Sequence, residues 1–168
     1  MHNQTFDFER DFVASLRCVP MAVRRKLDQV RIKLTLRQWS RLSREVREEL
    51  LGLPCASNLE AESYRRRLIE VVEAVSQAPL QDLSEEKAIP DPCVDEPPTQ
   101  IADFARSQGL GPIDRGAWRK LSDLQRFALV KLSRDNHDNV NFVPALREFG
   151  LLSAMCGRAA SPDRRRAS

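Results

Sequence analysis

The sequence predicts an all-α fold: a compact helical domain of about seven to eight helices, built from two related helical-hairpin segments joined by an acidic, proline-rich connector. Three observations predict it. Apolar residues recur at helical spacing behind side chains suited to cap a helix. Glycine is scarce, at six of 168 residues, and no segment alternates apolar with polar as a half-buried strand does. One Trp-centred segment occurs twice, around Trp39 and around Trp118.

The elements follow in order. A short helix is expected over residues 11–17, with Phe12 and Leu16 on one side. Pro20 suits the first position of the next helix, where a missing N–H is no loss, and Val23, Leu27 and Val30 follow at i, i+4 and i+7. Thr35 and Gln38 form a capping box ahead of Trp39, and Ser43 then caps a helix carrying Val46, Leu50 and Leu51. Ser57 with Glu60 opens the longest helix, whose stripe runs Ala61, Tyr64, Leu68, Val71, Val72, Val75. Its early Glu60 and Glu62 complement the positive end of the helix dipole. Past the connector, Ile101, Phe104 and Ala105 make a short helix ended by Gly109. Ser122 and Gln125 box a helix with Leu124, Phe127, Ala128 and Leu132. Phe142, Leu146 and Phe149 form the last stripe, closed by Gly150.

This gives an N-terminal helical half (1–76), the connector (77–100), a C-terminal helical half (101–155) expected to pack on the first, and a basic, flexible tail (156–168). The two parts around the connector carry net charges of +3 (1–76) and +5 (101–168), and the connector carries −5. Five of the ten prolines lie between Pro79 and Pro98, so the connector reads as extended and solvated. The opening residues have no basic n-region followed by an apolar stretch, and no apolar run approaches the roughly 20 residues that span a bilayer. Cys18, Cys55, Cys93 and Cys156 lie far apart without a CxxC pair. A cytoplasmic protein with no membrane partner is the expectation.

Sliding the chain by 79 positions lays residues 34–53 over 113–132. Trp39/Trp118, Leu42/Leu121, Ser43/Ser122, Arg47/Arg126, Leu50/Leu129 and Leu53/Leu132 are then identical. Each copy reads as a short Trp-bearing helix, a Ser cap and a longer amphipathic helix. Two docking surfaces are one reading of this; buried core is the commoner fate of Trp and Leu, and is expected here.

No catalytic set emerges, and neither a cofactor nor an enzyme is expected. His2 lies at the terminus and His137 in the polar run SRDNHDNVN, where Asp135 and Asp138 suit turns better than a metal. Cys18 and Cys55 sit close to Pro20 and Pro54 and are candidate functional thiols. A shared metal or cluster would need two further ligands from Cys93, Cys156 or His137, and a free cysteine is more often a small buried hydrophobe. Basic charge is concentrated between residues 17 and 47, where Arg17, Arg24, Arg25, Lys33, Arg37, Arg41 and Arg44 form a candidate partner-binding surface. Arg37, Arg41 and Arg44 share a face if their helix runs unbroken. Nucleic acid is the less favoured partner, because no aromatic residues are interleaved for base stacking.

Three strings carry a family resemblance: FDFERDFVASLRCVPMAVRRKLDQVRIKLTLRQWSRL, then LPC at 53–55 followed by Tyr64 and Leu68, and WRKLSDLQRFALVKLSRDNHDNVNFVPALREFG. With these the chain resembles the bacterial and cyanobacterial nitrate reductase associated protein family, most specifically in SLRCVPMAVRRKLD. The resemblance places glycine in many relatives where Arg31 stands here. It implies an accessory factor for assimilatory nitrate reductase, acting in assembly, cofactor insertion or activity, with the reductase or its maturation machinery as partner. Pro20, Trp39, Pro54, Trp118, Arg126, His137 and Phe142 are its motif residues and are expected to be structural. Two alternatives stay open: a nucleic-acid-binding regulator of nitrate assimilation genes, and a metal or cluster carrier through the cysteines.

Overall fold

A computed structural model of the chain describes residues 5–10, 15–76, 78–84, 89, 95–134 and 140–152. His2, Phe12, Cys93, Asp135, His137, Asp138, Cys156 and the basic tail lie outside the described residues. The fold is mainly helical: among the described residues there are eight α-helices, one 3-10 turn and a single two-stranded pair. The chain divides into two units, Met1–Pro90 and Asp91–Ser168.

The first unit begins with a 3-10 turn, Asp7–Glu9. Residues 15–17 are not helical, contrary to expectation. Ser15 and Leu16 form a turn in which Leu16 takes a left-handed φ of 48°. Helix α1 spans Met21–Gln29, with Pro20 as its N-cap (ψ 154°) rather than its first residue. The shift is local: Pro20 still offers its carbonyl to the Arg24 amide at 2.9 Å. Val23, Leu27 and Val30 are buried as their spacing predicts. After α1, Arg31 turns the chain with φ 55°, a conformation glycine adopts without strain.

Strand β1 (Ile32–Lys33) leads to α2 (Leu36–Arg41), α3 (Arg44–Gly52) and α4 (Asn58–Glu73). The predicted caps form: the hydroxyls of Thr35, Ser43 and Ser57 accept from the amides of Gln38, Val46 and Glu60, and the Gln38 and Glu60 side chains bond back. Each such cap satisfies end amides that have no partner within the helix. Trp39, Leu50, Tyr64, Leu68 and Val72 close the core with Val23 and Ile32.

The sequence showed no strand, yet β1 pairs antiparallel with β2 (Gln81–Asp82), Ile32 opposite Asp82 and Lys33 opposite Gln81. Main-chain groups between two helices need partners, and the start of the acidic stretch supplies them. Leu83 donates its amide to the Arg31 carbonyl at 2.9 Å, and Ile89 donates to Asp28 Oδ2 at 3.1 Å. Two residues per strand are too few to show an alternating pattern.

The second unit holds α5 (Thr99–Ser107), α6 (Arg115–Arg119), α7 (Asp123–Leu132) and α8 (Phe142–Glu148). Ile101, Trp118, Phe127, Leu129, Leu132, Phe142 and Leu146 are its fully buried large side chains. Phe104 meets Phe142 edge-on at 4.9 Å. Gly109 and Gly150, at φ 72° and 71°, end α5 and α8. Beyond each, an amide reaches back: Leu110 to the Ala105 carbonyl and Leu151 to the Leu146 carbonyl, both at 2.9 Å.

Candidate functional site

The best-built region of the first unit surrounds α2. Its Trp39 is wholly buried and donates Nε1–H to the Leu16 carbonyl at 2.7 Å. Arg47, from α3, reaches the same carbonyl with Nη1 at 3.2 Å and holds the end of α2 through Trp39 O (3.1 Å) and Ser40 O (2.7 Å). Its guanidinium lies 5.8 Å from the Trp39 ring, within cation–π range. The segment after Leu16 is pinned as well. Arg24 Nε donates to the Val19 carbonyl at 3.0 Å, and the Met21 amide donates to the buried Glu9 carboxylate at 2.7 Å.

Around this frame the seven candidate surface residues divide. Arg17, Lys33, Arg37 and Arg41 are exposed, and none has a carboxylate partner among the described residues. Arg24 and Arg25 are half-buried, and Arg24 is engaged with backbone. Arg44 pairs with Glu48 at 2.7 Å. The condition for a shared face of Arg37, Arg41 and Arg44, an unbroken helix, is not met. Leu42 is extended (ψ 145°) and Ser43 caps a new helix, so Arg44 opens α3 instead of continuing α2. Elsewhere in the unit Arg10 pairs with Asp7, Arg65 with Asp82 at 3.2 Å and Arg67 with Glu49 at 2.7 Å, while Arg66 on α4 is exposed with no carboxylate partner among the described residues.

The two thiols have different settings. Cys55 is buried, following the exposed Pro54, beside Lys26 and Tyr64. Lys26 Nζ donates to the carbonyls of Leu51 and Leu53 at 2.7 Å and of Leu50 at 3.3 Å, closing the end of α3, and sits 5.6 Å from the Tyr64 ring centre. Burial pushes the Cys55 thiol up, and likewise the Tyr64 hydroxyl, which has no hydrogen-bond partner among the described residues. A thiol held protonated is a poor nucleophile and metal ligand. Cys18 is half-buried, and both cysteines are free. Among the described residues no three His, Cys, Asp or Glu side chains gather as metal ligands.

In the second copy of the repeat Trp118 is again fully buried. Arg126, the counterpart of Arg47, is itself buried; it donates to the Leu121 carbonyl at 2.6 Å and pairs with Asp123. Its Nε has no hydrogen-bond partner among the described residues. On the flank of α6, Arg119 pairs with Asp95 at 3.2 Å and Arg115 with Glu96, so consecutive carboxylates cover two arginines one turn apart. Pro20 is the N-cap of α1 and Phe142 is fully buried. Sequence reading passed over Glu9, Lys26 and Arg47 as organisers of this region. Only Arg47 left a signal, its identity with Arg126 in the repeat.

No helix among the described residues is long and apolar enough to cross a membrane. No curated protein and no solved structure matches the chain. A family profile does, across residues 5–149, and on that match the chain belongs to the family of conserved nitrate reductase-associated proteins.

Proposed function

We propose that the chain is a cytoplasmic, non-catalytic accessory factor that docks on nitrate reductase, or on the machinery that matures it, through the outer face of α2 and the segments beside it. The observation that carries this reading is the division of the basic residues. Arg10, Arg44, Arg65 and Arg67 have carboxylate partners, while Arg17, Lys33, Arg37 and Arg41, like the lone Arg66 of α4, face solvent without one among the described residues. Exposed cations of one sign on a well-anchored frame steer an acidic partner and fix its register. Family membership supplies the partner's identity in this reading.

Affinity capture with the tagged chain from nitrate-grown cells is expected to recover the reductase or a maturation protein. A strain lacking the chain is expected to lose reductase activity while still making the reductase polypeptide. Undiminished activity in that strain would reject the reading. Tight binding to DNA, falling steeply with salt, would favour a nucleic-acid-binding regulator instead.

A further inference from the structure

The second unit displays how an acidic segment sits against a Trp-bearing helix of this protein. Asp95 and Glu96 are adjacent in sequence and precede Pro97-Pro98. They pair in antiparallel order with Arg119 and Arg115, which stand at i and i+4 on α6. The match is one of spacing. Side chains four apart on a helix lie on one face about 5–6 Å apart, and the bend at Asp95 and Glu96 turns two neighbouring carboxylates, which extended backbone would send to opposite faces, onto that one face.

Helix α2 carries the same spacing with nothing on it. Arg37 and Arg41 are four apart, exposed, and without carboxylate partners among the described residues. In the repeat register they sit one position later than Arg115 and Arg119. One position turns a helix by about 100°. The α6 pair therefore flanks Trp118, whereas the α2 pair points directly away from the buried Trp39. The capping box at Thr35 and the bonds from Arg47 fix α2 at both ends, so the pair is presented on a rigid support. Leu36, 56% exposed, adds an apolar contact beside it.

We propose that Arg37 and Arg41 form a docking site for a bent segment of a partner protein that bears two adjacent carboxylates, the chemistry Asp95 and Glu96 offer to α6. The site rests on the accessory-factor reading and names the chemistry of its partner. Each ion pair is solvent-exposed and individually weak, so binding is modest and depends on salt.

The test uses the full chain and a fluorescent peptide of the sequence Val-Asp-Glu-Pro-Pro, read by anisotropy at low ionic strength. Binding is expected to fall at least about tenfold in Arg37→Glu/Arg41→Glu, to vanish with an Asn-Gln peptide, and to weaken as salt shortens the screening length. Arg37→Gln/Arg41→Gln gives a milder loss in the same direction, and circular dichroism checks that both variants fold. Equal binding to wild type and variants overturns the site. So does a loss confined to Arg115→Glu/Arg119→Glu, which marks exchange with the chain's own segment. Self-association abolished by Arg37→Glu/Arg41→Glu overturns it too, because the occupant is then a second copy. If affinity capture of the reductase survives in that variant, the docking site fails and the accessory function stands.

Discussion

The Trp39 and Trp118 hairpins share a sequence frame but are completed differently. In the first, the Leu16 carbonyl enters from outside the repeat and accepts from both Trp39 and Arg47, so three segments meet at one oxygen. In the second, Arg126 turns onto its own hairpin, to Leu121 and Asp123, and leaves one buried nitrogen without an acceptor. The same arginine thus ties a distant segment down in one copy and serves a local turn in the other. A repeated motif supplies a frame, and its neighbours decide what that frame holds.

The largest effect separates frame from neighbours. Trp39→Ala and Trp118→Ala are each expected to cost about 3–5 kcal/mol in denaturant unfolding, the range for emptying a large buried aromatic site. Only Trp39→Ala should also speed amide exchange across residues 15–20; unchanged exchange there would mean the Leu16 carbonyl is held by other means.

Replacing the arginines sharpens the contrast at smaller scale. Arg47→Met removes donors from three carbonyls and is expected to cost about 1–3 kcal/mol. Arg126→Met removes one backbone bond, the pair with the exposed Asp123 and the unpartnered nitrogen, so about 1 kcal/mol or less is expected. A reversed order in paired unfolding curves would break the comparison.

Alkaline pH should weaken the first unit in particular. Cys55 and Tyr64 are raised by burial above their ordinary values of 9.0 and 10.0. Between the ordinary and the raised value the folded chain keeps a proton that the unfolded chain has lost. Stability therefore falls as pH rises through about 9 and beyond. Lys26, lowered by burial, has the opposite slope below its ordinary 10.5 and blunts the loss. Tyr64→Phe removes an unpartnered hydroxyl. A gain of about 1 kcal/mol at neutral pH is expected, with a shallower alkaline decline.

The smallest change concerns the turn after α1. Arg31→Gly relieves a left-handed residue and is expected to stabilise by about 0.5 kcal/mol, offset in part by the freedom glycine adds to the unfolded chain. A fall in melting temperature would show that the Arg31 side chain contributes more than its backbone strain removes.

Local chemistry explains what could be read beforehand. Thr35–Gln38, Ser57–Glu60 and Ser122–Gln125 act across three residues, so the helix starts are visible in the chain itself. The pairing of Ile32 with Asp82 joins residues fifty apart through main-chain groups and leaves no side-chain pattern. The candidate surface was legible as an excess of Arg and Lys between residues 17 and 47. Which of those charges remain available was not, because Arg44 meets Glu48 only after α2 has ended. Glu9 shows the same limit: its value lies in a buried bond to Met21, twelve residues away.

Formal charge is a poor guide to how this molecule meets a charged surface. Lys26 and Arg47 aim their hydrogens at backbone carbonyls, and Arg65 Nη1 does so at Val30. Their charge acts inward, on helix ends and turns. A net charge of +3 spread evenly would let the protein tumble freely over a cation-exchange resin. Cations left outward on α2 and the segments beside it can instead bind the resin together as a patch, so the protein should elute later than its net charge suggests.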